Sequence, residues 1–169
     1  MENLILFLAT SFLFRLSTSQ KVKNQIIGST GCSALLASEE LDVSRAESGD
    51  KLYFHEFKEK KVSYGMICVE MNEEYSLDEA SEMLTAYIEK LRGPLYILHN
   101  TGIQEDADWN SNHSRTIVDY WQDCEKKDWK VKGYTNGKIL AVLYVKNISH
   151  VEVSKQDFFL DSFHFNVAV

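Results

Sequence analysis

Proline is nearly absent: Pro94 is the single copy in 169 residues, beside eight glycines. A chain so poor in both has no long flexible linker, and 44% hydrophobic with 25% charged residues is the composition of a globular protein. The length suits one domain, large enough to hold a core without a metal or a disulfide. Clustered cations are missing too. Net charge is -7 and Lys and Arg never gather into a long run, whereas a phosphate backbone needs grouped cations to displace its counterions. Nucleic acid is therefore excluded as an expected partner. Familiar catalytic patterns are missing as well: there is no G-x-S-x-G, no P-loop, no G-x-G-x-x-G and no C-x-x-C. The histidines (His55, His99, His113, His150 and His164) never reach metal-ligand spacing, and "HEFKE" lacks the second histidine of a zinc protease. Carboxylates are plentiful, but sequence alone cannot pair two of them across a substrate.

What is present begins with an apolar run, Leu4 to Phe14, of the length of a signal-peptide core and too short to cross a bilayer. Ser17 and Ser19 supply small residues for cleavage before Gln20. The sequence thus predicts a leader over 1–19 and a mature domain over 20–169, exported to a periplasmic or extracellular space, with no membrane span in the mature chain. A buried N-terminal helix or a partly effective anchor is the competing reading, because the first three residues carry no cation and Arg15 interrupts the pattern. Cys32, Cys68 and Cys124 allow one bridge in three pairings. Cys68 lies in an apolar strand; Cys32 and Cys124 lie in loop-like context, which makes them the expected pair.

Along the chain, "SALLAS" reads as a short strand and "EELDVSRAESGD" as a polar connection. "KLYFHEF" and "VSYGMICVEM" form a hairpin around "KEKK". "SLDEASEMLTAYIEKLRGP" is an amphipathic helix with a Ser76/Glu79 capping box; Leu77, Ala80, Leu84, Tyr87, Ile88 and Leu91 form its apolar stripe, with Gly93 as the left-handed residue after its end. "LYILHNTG", "SRTIVDYWQD", "DWKVKGY" and "ILAVLYV" read as strands, the last two joined by Asn136-Gly137 in a type I′ turn. "ILAVLYV" is apolar on both faces and so must be central. A short helix over "SKQDFFLDSFHF", capped by Ser154, closes the chain. Together these predict an α+β domain: an antiparallel sheet of hairpins and a meander, packed by one main helix and a short C-terminal helix.

That order, with "SLDEASEMLTAYIEKL" between an early hairpin and a later meander and "FFLDSFHF" after the last strand, resembles the PsbP/Mog1-like superfamily, including its DcrB-like exported bacterial members. "DYWQDCEKKDWKVKGY" also resembles uncharacterised exported bacterial proteins. The likeness spans residues 30 to 165 and rests on structural motifs. It implies accessory and binding roles and transfers no catalytic residue.

Two groups of residues are candidate sites. Asp106, Asp108, Asn110 and Asn112 alternate as oxygen ligands do in a calcium loop, although Ser111 replaces the turning glycine and Ile117 the bidentate glutamate. A solvated turn is the competing reading. Tyr120, Trp121, Trp129 and Tyr134 crowd one hairpin; exposed, they would stack a sugar or another planar ligand, and buried, they would be core. Asn112-His113-Ser114 and Asn147-Ile148-Ser149 match the glycosylation pattern, which matters only in a eukaryotic secretory pathway. The resulting expectation is an exported, non-enzymatic accessory or binding domain without a cofactor, its ligand or partner in the cell envelope. A hydrolase whose site assembles only in three dimensions and an oligomerising structural module are the alternatives.

Overall fold

A computed structural model describes residues 21–106 and 113–165. It is mostly antiparallel sheet with two helices, an α+β chain. The strands are β1 (Lys23–Ile26), β2 (Ser33–Leu36), β3 (Asp42–Arg45), β4 (Lys51–Glu59), β5 (Val62–Glu70), β6 (Ile97–Asn100), β7 (Gln104–Glu105), β8 (Arg115–Asp123), β9 (Asp128–Thr135) and β10 (Ile139–Lys146). Helix α1 spans Leu77–Leu91 and α2 spans Val153–Leu160, with a 3-10 turn at Ile148–His150 between β10 and α2. β1 and β2 form a separate two-stranded sheet. The other eight make one sheet in the order β3-β4-β5-β10-β9-β8-β6, with β7 also paired to β8.

β10 sits at the middle of this order, as a strand without a polar face must. Leu140, Val142 and Tyr144 enter one apolar cluster, and Ile139, Ala141, Leu143 and Val145 enter the other. The first cluster lies under α1, whose Leu84, Tyr87, Ile88 and Leu91 are buried against Ile117, Val131 and Val142. Each such aliphatic side chain contributes about 1.5–3 kcal/mol by leaving water. The capping box forms: Ser76 Oγ accepts from the Glu79 N–H, and the Glu79 carboxylate accepts from the Ser76 N–H. The second cluster lies on the opposite face, where β2 supplies Ala34 and Leu36, and the end of the chain supplies Phe159, Leu160 and Phe163.

Several expectations are corrected. The polar connection after β2 contains β3, which pairs with β4 across a turn where Gly49 has φ of 93°. Pairing, not apolar content, makes this strand. Gly93 is not the left-handed residue beyond α1. The chain continues in turns, and Tyr96 takes φ of 55°. At the β9–β10 hairpin only Gly137 has positive φ, at 92°, so the turn is not type I′. Instead the Asn136 side chain accepts from the N–H groups of Lys138 and Ile139 and shapes the loop. Glu152, not Ser154, is the residue before α2. No disulfide joins the cysteines: Cys32 and Cys68 are buried and Cys124 is exposed, so the expected Cys32–Cys124 pair does not form.

Candidate functional site

Strand β8 decides the fate of the aromatic candidates. Its side chains alternate between the two faces, and burial follows: Ile117, Asp119, Trp121 and Asp123 are buried, while Tyr120 is exposed. Trp121 pairs with Trp129 of β9, and the two indoles lie 6.2 Å apart at 45° in the cluster under α1. They are 3% and 2% exposed. Tyr134 points the other way, into the cluster beside α2, stacks near Phe163 at 5.2 Å, and donates its hydroxyl to the Leu160 carbonyl at 2.6 Å. Burial raises its phenol far above the ordinary value. The four aromatics therefore share no common surface.

The buried indole N–H groups each find a carboxylate on β8. Trp121 Nε1 donates to Asp119 Oδ2 at 2.6 Å, and Arg92 Nη2 donates to the same oxygen at 2.7 Å. Thr101 Oγ1 donates to the other oxygen at 3.3 Å. Trp129 Nε1 donates to Asp123 Oδ2 at 3.0 Å; Lys146 is 3.1 Å from that oxygen and stands over the Trp129 ring, 4.6 Å from its centroid. Asp123 Oδ1 also accepts the backbone N–H groups of Glu125 and Lys127, which ties the β8–β9 turn. Burial works to raise the Asp123 carboxyl, but the N–H groups and Lys146 outweigh it and hold it below its ordinary value. A buried tryptophan needs a partner for its N–H, and an aspartate two residues away on the same face, or facing it across a turn, supplies one.

Further along the same face, Tyr144 lies flat over Gly65. A Cβ on Gly65 would stand 2.0 Å from the phenol ring, so only glycine fits there. The ring thus reaches across β5, and its hydroxyl donates to Glu56 on β4. Burial pushes the Glu56 carboxyl above its ordinary value despite this bond and the nearby Lys146 and Lys58.

Asp106, the first calcium candidate, is held by Lys132 at 2.8 Å, and Asp161, just past the end of α2, meets the same ammonium at 2.6 Å. A cation at Asp106 would compete with that lysine. Asp108, Asn110 and Asn112 lie outside the described residues, and among those described no three His, Cys, Asp or Glu side chains gather as a metal site. The Asn147 amide of the second glycosylation sequence donates to the Lys61 carbonyl at 2.8 Å and anchors the β4–β5 turn.

Among the described residues, a cleft of about 350 Å³ opens on the Tyr120 side of β8. His99 and Asn100 of β6, Thr101, Tyr120 and Gln122 of β8, Asp128 of β9 and Ile148 of the 3-10 turn line it. Trp121 and Trp129 also border it, but offer almost no surface. His99 and Gln122 are cross-strand partners, as are Gln122 and Asp128, so their side chains leave the sheet on one side. Gln122 Nε2 donates to Asp128 at 2.9 Å. Tyr120, 40% exposed, lies under Lys130, whose ammonium is 5.7 Å from the ring centroid and 2.6 Å from Asp157 of α2. The cleft thus offers an aromatic ring, an amide, a carboxylate and an imidazole, all open to water. Sequence reading found Tyr120 but not His99, Gln122 or Ile148, which come from elements far apart in the chain. The alternation of β8 was the available signal for Tyr120 and Gln122; nothing local marks the other two.

Compared with known proteins, the chain matches no family model and no curated protein. Among the described residues no helix is long and apolar enough to cross a membrane.

Proposed function

We propose that the chain is a non-catalytic binding or accessory domain, exported by its N-terminal leader, whose ligand or partner engages the cleft around Tyr120. One observation carries this reading: β8 turns Trp121 inward and Tyr120 outward, so aromatic and polar groups from β6, β8 and β9 converge, beside Ile148, on one open recess. The carboxylates on the other face support it. Asp119 and Asp123 hold indoles, cations and a turn, which are structural duties. The order of hairpin, α1, meander and α2 also suits the PsbP/Mog1-like resemblance, with the main helix on one face of the sheet and the short one on the other.

The test is a titration of the isotopically labelled mature domain with a panel of neutral oligosaccharides and short peptides, followed by amide NMR shifts. Shifts clustered at His99, Tyr120, Gln122 and Asp128, and lost in Tyr120→Ala, support the reading. Shifts that survive Tyr120→Ala or map to the β3–β4 edge contradict it. Export is tested separately: an intact mass beginning at Gln20 supports it, and an uncleaved chain in the cytosol contradicts it.

A further inference from the structure

Two cysteines far apart in sequence enter the same patch of core beneath the N-terminal hairpin. Cys68 stands near the C-terminal end of β5, fully buried, its Cα paired with Tyr53 on β4 and Ala141 on β10. Paired residues send their side chains to one face, so Cys68, Tyr53 and Ala141 are neighbours. The turn between β1 and β2 rests on that spot. The Tyr53 ring occupies the space a side chain on Gly28 would need, 2.1 Å from the Cβ position, and Ser29 Oγ is 3.0 Å from the Tyr53 hydroxyl. Cys32 closes this turn, its carbonyl accepting the Ile27 N–H at 2.8 Å. Its side chain is 1% exposed, in the cluster that holds Tyr53, Cys68 and Ala141. Burial pushes the Cys68 thiol well above its ordinary value, and charge on Cys32 and Glu70 pushes it in the same direction. Cys124 is exposed at the β8–β9 turn.

We propose that Cys32 and Cys68 are a disulfide-forming pair that, under oxidising conditions, ties the β1–β2 hairpin to the centre of the main sheet and leaves Cys124 as a thiol. The oxidant is a small or protein disulfide such as glutathione disulfide. One cysteine thiolate attacks it and releases one glutathione thiolate. The second cysteine thiolate then attacks the mixed disulfide, forms the Cys32–Cys68 bond and releases the second. Two electrons pass to the oxidant, and the two protons from the cysteines end on two glutathione thiols. Both sulfurs are sealed in the folded chain, so the exchange belongs to folding or to moments when the hairpin lifts. This pair does not depend on the binding cleft.

The experiment refolds the reduced, denatured chain in a glutathione redox buffer, quenches with acid, alkylates under denaturing conditions, and maps unreduced peptides by mass spectrometry. The expected product links the Cys32 and Cys68 peptides, carries alkylated Cys124, and unfolds about 10 °C above the dithiol form. Cys124→Ser keeps both results, and Cys32→Ser loses the linked peptide and the redox dependence of the midpoint. Three alkylated cysteines across the range of buffer potentials, or a link that includes Cys124, would overturn the proposal.

Discussion

Tyr120 and Trp121 are adjacent in sequence and opposite in fate. On the face under α1, Trp121 and Trp129 are sealed, their N–H groups spent on Asp119 and Asp123. On the other face, Tyr120 borders an open cleft with His99, Gln122 and Asp128. The residue types are similar; the strand's alternation and what covers each face make the difference. Aromatic clustering in a sequence therefore does not mark a site until the direction of each ring is known.

The comparison breaks most sharply at Trp129. Trp129→Ala should cost about 3–5 kcal/mol, since it empties a large core volume and leaves Asp123 and Lys146 without their indole; chemical denaturation measures it. Gly137→Val comes next, at about 2 kcal/mol. Its φ of 92° is poor for a β-branched residue, and a Cβ would stand 2.4 Å from the Tyr75 carbonyl oxygen. An unfolding midpoint equal to that of the parent would contradict the loop geometry.

Glu56→Gln should act in the opposite direction. The folded state raises this carboxyl's pKa by burial, so the folded chain binds the proton more tightly than the unfolded chain. Stability from this group is full below the ordinary value of 4.5 and is lost as pH rises through the folded value. An amide keeps the acceptor for Tyr144 and removes the buried charge. The variant should gain a few degrees of midpoint at pH 7 and nothing below pH 4.5, as thermal unfolding across pH would show. The smallest effect on stability is that of Tyr120→Ala, within about 0.5 kcal/mol because the ring is an exposed one, although the same change should abolish ligand shifts in the cleft.

The fold was legible where a periodic pattern met a local stop signal. The Ser76/Glu79 box and the stripe from Ala80 to Leu91 defined α1, and the two apolar faces of Ile139 to Val145 placed β10 at the centre. β3 was hidden because Asp42–Arg45 is polar and becomes a strand only by pairing with β4. Asn136 was misjudged because its side chain, not a positive φ, supports the turn. At the candidate site, the aromatic pattern pointed to the β8–β9 hairpin but did not show that α1 covers one face of it. Lys132 escaped notice for the same reason: a lysine in a strand reads as exposed until the carboxylates of Asp106, just after β7, and Asp161, just after α2, are seen to meet it.

The division between a sealed face and an open one is tested most directly by the thermal midpoints of Trp129→Ala and Tyr120→Ala measured side by side. The account predicts a fall of about 10 °C for the first and a change within about 2 °C for the second. A folded Trp129→Ala with the parent's midpoint would contradict it, because Trp129 would then be available to a ligand and the two faces of β8 would no longer differ.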